Sequence, residues 1–183
     1  MWRGDAAIES PRAAAAPLVA PDKELHTVDD VLQGASDILA ERIAEDSAVR
    51  EQARRVAWKT GRLTIAAAKN DADEAFRDYF DYSEAVSKIP PHRVLAINRG
   101  ESESALRVKF VWDGDTAHAK TVRLLKLHEH LFALFMMDVS ADALSRLVLP
   151  SLDREIRREL TQRAESHDID VFARNLRNLL LQP

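Results

Sequence analysis

Cysteine is absent from the 183-residue sequence, so neither a disulfide framework nor a thiolate metal site is possible. Long apolar runs are also missing, because the strongest one, residues 131–137, is far shorter than the roughly 20 residues of a membrane-spanning helix. Near the start of the chain, Ser10, Pro11 and Pro17 interrupt the alanines, so no continuous apolar segment of a signal peptide is present. These absences lead us to expect a soluble cytoplasmic protein without membrane contact.

Motifs that carry catalysis are missing as well. The sequence contains no Gly-rich phosphate loop, no nucleophile elbow and no assignable Ser/His/Asp pattern. His128, Glu129 and His130 have metal-ligand chemistry, but alternate residues of a helix point about 200° apart and cannot both bind one ion unaided. The cluster also lacks the His-Glu-x-x-His spacing of zinc hydrolases. We therefore predict a protein that is not an enzyme and that binds no metal and no cofactor.

Charge is distributed unevenly along the chain, although the net charge is only -4. Residues 22–87 contain 9 Lys and Arg against 15 Asp and Glu, whereas residues 88–126 contain 8 basic against 4 acidic residues. A local basic excess attracts phosphate groups. Only this middle part of the chain is therefore a candidate for contact with nucleic acid.

Helical patterns dominate the sequence. Residues 1–26 are rich in alanine and proline and are predicted to form a flexible tail, and residues 27–183 a helical region. Thr27 and Asp30 have the spacing of a capping box, and Asp46 is placed to cap a second helix that ends before Gly61. Further helices are predicted over residues 92–98 and 120–137, from Ser140 to Pro150, and from Ser151 and His167 onward.

One clear strand interrupts the helices. Leu106, Val108 and Phe110 alternate with Arg107 and Lys109, which is typical of a half-buried strand. A strand needs a partner for its backbone groups, and residues 63–67 are the candidate within the chain. The sequence therefore predicts a mainly α fold, a multi-helix domain with one short two-stranded β element.

The most distinctive stretch, residues 76–101, reads FRDYFDYSEAVSKIPPHRVLAINRGE. Phe76, Tyr79 and Phe80 share one face of a short helix, where they form either core or a platform for stacking bases. The proline pair that follows favours extended backbone and places Pro91 in the first turn of a helix.

This stretch resembles the signature of the Tex family of RNA-binding transcription accessory proteins. The similarity also includes GASDILAE at residues 34–41, residues 58–64, PSLDREIRREL at residues 150–160 and VFARNLRNLLLQP at the end. It implies a largely helical region that contains a helix-turn-helix-like element. In such proteins a nuclease-like domain, a helix-hairpin-helix module and an S1 domain follow, and the S1 domain supplies most of the nucleic-acid binding. We expect none of these modules within the 183 residues.

The resemblance and the basic middle segment together favour a Tex-like fragment that binds RNA or DNA weakly and associates with the transcription machinery. The alternatives are a protein-interaction scaffold, which the apolar residues 131–137 suggest, and a truncated relative without function. The residues predicted to contact nucleic acid are Lys88, His92, Arg93, Arg99, Arg107 and Lys109.

Overall fold

The computed structural model describes residues 10–68 and 74–181. The chain divides into two compact units, the first formed by Met1–Ala53 with Gly114–Pro150 and the second by Arg54–Asp113 with Ser151–Pro183. In the described part of the chain there are seven α-helices and one small antiparallel sheet, which confirms the mainly α prediction.

The first unit is built from helices. Helices α1 (Pro11–Ala15) and α2 (Val28–Glu45) pack together, as do α5 (Gly114–Leu124) and α6 (Ala133–Asp142). A π-helical segment, Ala143–Val148, packs on α2, α5 and α6. The core consists of buried apolar side chains that include Val31, Ile43, Val49, Val139, Leu144 and Val148.

Capping groups fix where the first long helices begin. The Thr27 hydroxyl accepts the Asp30 N–H at 3.1 Å and the Asp30 carboxylate accepts the Thr27 N–H at 2.8 Å, so the predicted capping box is confirmed. The Asp46 carboxylate accepts the N–H groups of Ala48 and Val49 at 2.9 Å. This confirms Asp46 as the cap of α3 (Ser47–Thr60), because its oxygen satisfies donors without a partner within the helix.

The described part of the predicted tail starts at Ser10 and includes the short helix α1. Ser10 caps α1, and Ala15 is only 3% exposed. The Arg12 guanidinium also lies 2.7 Å from the Asp29 carboxylate. Alanines that cannot build a core themselves can still fill the surface of a neighbouring helix, which is how residues 11–15 fold.

The sheet of the second unit has the strand order β2-β1-β3, with β1 (Arg62–Ala67) between β2 (Tyr82–Ala85) and β3 (Leu106–Val111). The predicted pairing of β1 with β3 is confirmed. Strand β2 adds a third strand that the two-stranded prediction did not include. Its sequence, Tyr-Ser-Glu-Ala, has no apolar alternation, so its assignment depends on the pairing with β1.

Helix α4 (Pro91–Ser102) packs on β3, and Pro91 opens the helix as predicted. The helix continues beyond residue 98, the predicted end, and runs through Gly100. Gly100 is buried, and a Cβ at this position would lie 2.5 Å from Leu106 Cδ1 and 2.9 Å from Phe76 Cδ1. Glycine is therefore needed here for close packing and not to end the helix.

The helix predicted over residues 120–137 is wrong, because it is two helices, α5 and α6. Lys126 between them has a φ of 52°, which no α-helix accommodates. The helix starts predicted at Ser140 and Ser151 are also wrong, because the chain is continuously helical from α6 through the π segment into α7 (Leu149–Leu180). Pro150 lacks an N–H group, and the wider π turn just before it accommodates that loss.

Candidate nucleic-acid interface

The register of the sheet decides which side chains share a face. Leu63 and Ile65 of β1 are buried, so the alternate residues Arg62, Thr64 and Ala66 occupy the opposite face. Residues directly opposite one another in an antiparallel pair lie on the same face. Lys109 is opposite Thr64 and Arg107 is opposite Ala66. Arg62, Arg107 and Lys109 therefore lie on the same face of the sheet, which we call the basic sheet face.

The basic sheet face carries only positive charge among its strand residues. Its remaining members are neutral: Thr64, Ala66, Ser83, Ala85 and Val111. Arg107 and Lys109 are exposed, and neither forms an ion pair with another residue of the described ranges. Two predicted residues thus lie side by side, with their charges available to solvent.

Arg62 is the member of this face that the sequence prediction missed. Its Nε donates to the Ser83 hydroxyl at 3.1 Å, and one terminal nitrogen donates to the Ser83 carbonyl at 2.9 Å. These bonds hold the guanidinium across the β1–β2 pair. The alternation of Leu63 and Ile65 was enough to place Arg62 on the outer face. The prediction missed it because it considered only the basic segment that begins at residue 88.

Arg93 has a different role. One of its terminal nitrogens lies 3.0 Å from the Glu84 carboxylate, and the guanidinium lies 5.4 Å from the centre of the Tyr82 ring. The Tyr82 hydroxyl is hydrogen-bonded to both Arg93 and Glu84. Although burial raises the pKa of Glu84, the hydrogen bonds from Tyr82 and Arg93 outweigh it and lower the pKa below its usual value. Arg93 is thus neutralised within the protein.

The other predicted residues lie outside the basic sheet face. The Arg99 guanidinium lies 2.8 Å from the Glu103 carboxylate one turn later. Lys88 is exposed in the turn that follows β2, and His92 is exposed in the first turn of α4. The structure therefore brings together Arg107 and Lys109 and assigns Arg93 and Arg99 to ion pairs.

Three aromatic residues of the distinctive stretch, Phe76, Tyr79 and Tyr82, pack away from the basic sheet face. Phe76 is buried, which confirms the core interpretation for this ring. Tyr79 is half-buried and packs edge-on against Tyr82 at 6.0 Å between ring centres. Tyr82 itself lies opposite Ile65, on the buried side of the sheet. The basic sheet face therefore offers charge and no ring on which a base could stack.

The cluster with metal-ligand chemistry, residues 128–130, lies on the surface. His128, Glu129 and His130 are all exposed, and the His130 Nδ1 accepts the Phe132 N–H at 3.0 Å. Within residues 10–68 and 74–181, no group of three or more His, Asp or Glu side chains could hold a metal ion. Over the same ranges, no helix has both the length and the apolar character to cross a lipid bilayer.

Comparison with known proteins defines the family. Residues 7–172 match the family model described as Tex central region-like. The chain is 35% identical over 175 residues to the uncharacterized protein YdcI of Bacillus subtilis, 34% identical over 187 residues to protein tex of Bordetella pertussis, and 31% identical over 163 residues to the transcriptional accessory protein Tex of Neisseria gonorrhoeae. These alignments cover 93%, 93% and 82% of this chain. The chain therefore belongs to the Tex family, and the resemblance inferred from residues 76–101 is confirmed.

The match is to a limited part of each relative. The aligned region covers 24% of YdcI, 24% of the Bordetella protein and 21% of the Neisseria protein. The activities of those whole proteins therefore do not pass directly to these 183 residues.

Proposed function

We propose that this chain binds RNA or DNA weakly, without base specificity, through the basic sheet face. The observation that carries the proposal is the register that places Arg62, Arg107 and Lys109 on one exposed face, among whose strand residues none is acidic. Phosphate groups are recognised by such clustered cations. Membership of a transcription accessory family makes nucleic acid the appropriate polyanion to test.

The composition of the face determines the kind of binding. Three cations release few counterions, so the affinity is low and falls as salt is raised. Because the outward positions carry no aromatic ring and no amide side chain, bases are neither stacked nor read by paired hydrogen bonds. Single strands of different sequence should therefore bind with similar affinity.

The direct test is fluorescence anisotropy with a labelled single-stranded RNA of about 20 nucleotides at about 30 mM salt. Substituting Arg107→Glu together with Lys109→Glu should weaken binding at least ~10-fold, because two attractive charges become repulsive. The matched control is Arg154→Glu with Arg158→Glu, which changes the net charge equally at two exposed positions of α7. An equal loss of RNA affinity in both variants would show that the change in net charge alone causes it, and would refute the assignment to the sheet face.

A second candidate function is protein interaction within the transcription machinery. Leu131 and Leu134 are 75% and 79% exposed, and Phe132 and Phe135, which follow them in the chain, line an apolar groove of 270 Å³ in the first unit. Its lining includes Leu18, Val31, Leu39, Phe132, Phe135 and Met136. Contiguous exposed apolar surface of this kind marks interaction sites.

Purified bacterial RNA polymerase is the appropriate probe for this second function. The chain should co-elute with the polymerase in size-exclusion chromatography, and Leu131→Asp with Leu134→Asp should abolish co-elution. Ser145→Asp, at an exposed position of the same unit, is the control. Separate elution of the unaltered chain would contradict this function.

We further propose a non-catalytic, cytoplasmic role. The lack of a recognisable nucleophile or phosphate-loop motif supports it. The helix-turn-helix-like element that the family resemblance implies stays a prediction, and it would supply a second route to nucleic acid.

A further inference from the structure

Strand β3 forms one edge of the sheet in the second unit, and no other strand of the described ranges lies on its outer side. The Ala68 N–H donates to the Ala105 carbonyl at 2.9 Å, so these two opposite residues form a hydrogen-bonded pair. Such pairs alternate with unbonded pairs along an antiparallel ladder. The backbone groups of Arg107 and Lys109 therefore point to β1, and those of Val108 point outward.

The outward backbone groups of β3 are free within residues 10–68 and 74–181. Neither Val108 nor Phe110 forms a backbone hydrogen bond to any described residue outside the sheet. Backbone groups buried without a partner are rare, so we infer that these groups face water. An edge strand of this kind is a template on which another extended chain can pair.

The opposite edge of the same sheet is closed by the chain itself. The Val86 N–H donates to the Gly61 carbonyl at 3.0 Å, which places the backbone groups of Ser83 and Ala85 on the outer side of β2. The Arg62 guanidinium donates to the Ser83 carbonyl at 2.9 Å. The Ala85 carbonyl accepts two N–H groups from residues just after the strand. Of the two edges, β3 is therefore the one open to a partner.

A second copy of β3 is a poor partner for this edge. A two-fold antiparallel pairing centred on Val108 places Arg107 directly opposite Lys109 of the second copy. Centring the pairing on Arg107 or on Lys109 instead places that cation opposite its own copy. Like charges directly opposite one another destabilise a strand pair. The charges of β3 therefore select a strand of different sequence, with acidic side chains.

We propose that the outer edge of β3 binds an extended acidic segment of another protein, paired antiparallel with the strand. Carboxylates at alternate positions of the segment lie opposite Arg107 and Lys109, which are both exposed. The positions between them are apolar, because they lie on the covered side of the sheet with Leu106, Val108 and Phe110. Val108 is only half-buried there, which leaves apolar surface for the segment to cover.

Backbone pairing separates this proposal from RNA binding. RNA has no peptide groups that could extend the sheet, so it would use the side chains of Arg107 and Lys109 alone. An acidic segment would use the same side chains together with the outward N–H and C=O groups of β3. Failure of the RNA assay would therefore leave the edge proposal untouched, and failure of the edge proposal would leave RNA binding untouched.

A labelled, capped peptide of sequence Val-Glu-Val-Glu-Val, titrated with the full chain and followed by fluorescence anisotropy, tests the partner. It should bind at least ~10-fold more tightly than Val-Lys-Val-Lys-Val, whose charges match those of β3. Methylating the backbone nitrogen of the central valine removes an N–H that faces β3 in the antiparallel pair, so binding should be lost.

The matched control is the same peptide methylated at one glutamate nitrogen, which faces away from β3 and should not affect binding. Equal affinity of the two methylated peptides would show that charge alone holds the peptide, and would overturn the proposal. Loss of binding on methylating the glutamate nitrogen alone would overturn the antiparallel orientation.

Hydrogen exchange followed by NMR tests the edge in the unaltered chain. The Val108 and Phe110 amides should exchange rapidly in the free chain and at least ~10-fold more slowly with saturating Val-Glu-Val-Glu-Val. The Arg107 and Lys109 amides, which point to β1, should be protected in both states. Slow exchange at Val108 before the peptide is added would show that the edge is already covered. Unchanged exchange after its addition would show that the peptide binds elsewhere, and either result would overturn the proposal.

Discussion

Arg93 in the first turn of α4 forms an ion pair with Glu84 in strand β2. A terminal guanidinium nitrogen of Arg93 lies 3.0 Å from a carboxylate oxygen of Glu84. Tyr82 joins the pair through its hydroxyl, and its ring lies below the guanidinium. The charge of Arg93 is thus used to attach α4 to the sheet. This relationship separates a structural arginine from the cations of the basic sheet face.

Substituting Arg93→Gln should lower the midpoint of thermal unfolding and leave RNA affinity nearly unchanged. The reason is that Glu84 loses its cationic partner while Arg62, Arg107 and Lys109 stay in place. Thermal unfolding followed by circular dichroism and RNA anisotropy measure the two effects. If Arg93→Gln lost as much RNA affinity as Arg107→Glu with Lys109→Glu, and its unfolding midpoint were unchanged, Arg93 would have to contact RNA directly.

The contribution of this pair should depend on pH. Because the folded-state pKa of Glu84 lies below its usual value, its stabilising effect is present above the unfolded pKa and is lost as the pH falls through the folded pKa. The difference in unfolding midpoint between the natural chain and Arg93→Gln should therefore shrink in acid. A difference that stays constant from neutral to strongly acidic pH would contradict the ion-pair explanation.

The capping box of α2 provides a second test. Thr27→Ala should reduce the free energy of unfolding by about 1 kcal/mol, because the Asp30 N–H loses its acceptor. The hydrogen bonds from the side chain and backbone of Thr27 lower the pKa of Asp30, so the cap weakens as the pH falls through that lowered value. Denaturant unfolding at neutral and acidic pH measures both effects. Thr27→Ser retains the acceptor and should behave like the natural chain.

Substituting alanine for Gly61 and for Gly34 should change the free energy of unfolding in opposite directions. A Cβ at Gly61 would lie 2.6 Å from Phe110 Cε2 and would also clash with the Ala57 carbonyl. Gly61→Ala should therefore lower the free energy of unfolding by about 1–3 kcal/mol. Gly34, inside α2, has open space around a Cβ, so Gly34→Ala should stabilise by about 0.5–1 kcal/mol. Denaturant unfolding of both variants gives the comparison. Equal effects of the same sign would show that packing around Gly61 does not matter.

Local signals in the sequence predicted local structure well. The caps at Thr27 and Asp46 depend on residues within three positions, and the alternation of Leu106, Val108 and Phe110 was enough to define β3. Gly61 follows the end of α3 as predicted, but no glycine in the described part of the chain has a positive φ, so its backbone conformation does not require glycine. Its requirement comes from the approach of Phe110, almost fifty residues away in the chain, which no local pattern contains.

Features that depend on tertiary contact could not be predicted in the same way. Strand β2 exists because it pairs with β1, and the division between α5 and α6 depends on the backbone of Lys126. For the candidate interface, the basic count of residues 88–126 found Arg107 and Lys109 but gave no means of seeing that Glu84 neutralises Arg93. It also excluded Arg62, which only the sheet register joins to the other two.

The salt dependence of RNA binding tests the central claim most directly. With three phosphate contacts to a single strand, the plot of log affinity against log salt concentration should have a slope of about -2. Replacing Arg107 and Lys109 by glutamine removes two contacts without adding negative charge, so the slope should fall to about -0.7. An unchanged slope in this variant would show that the basic sheet face does not contact the phosphates.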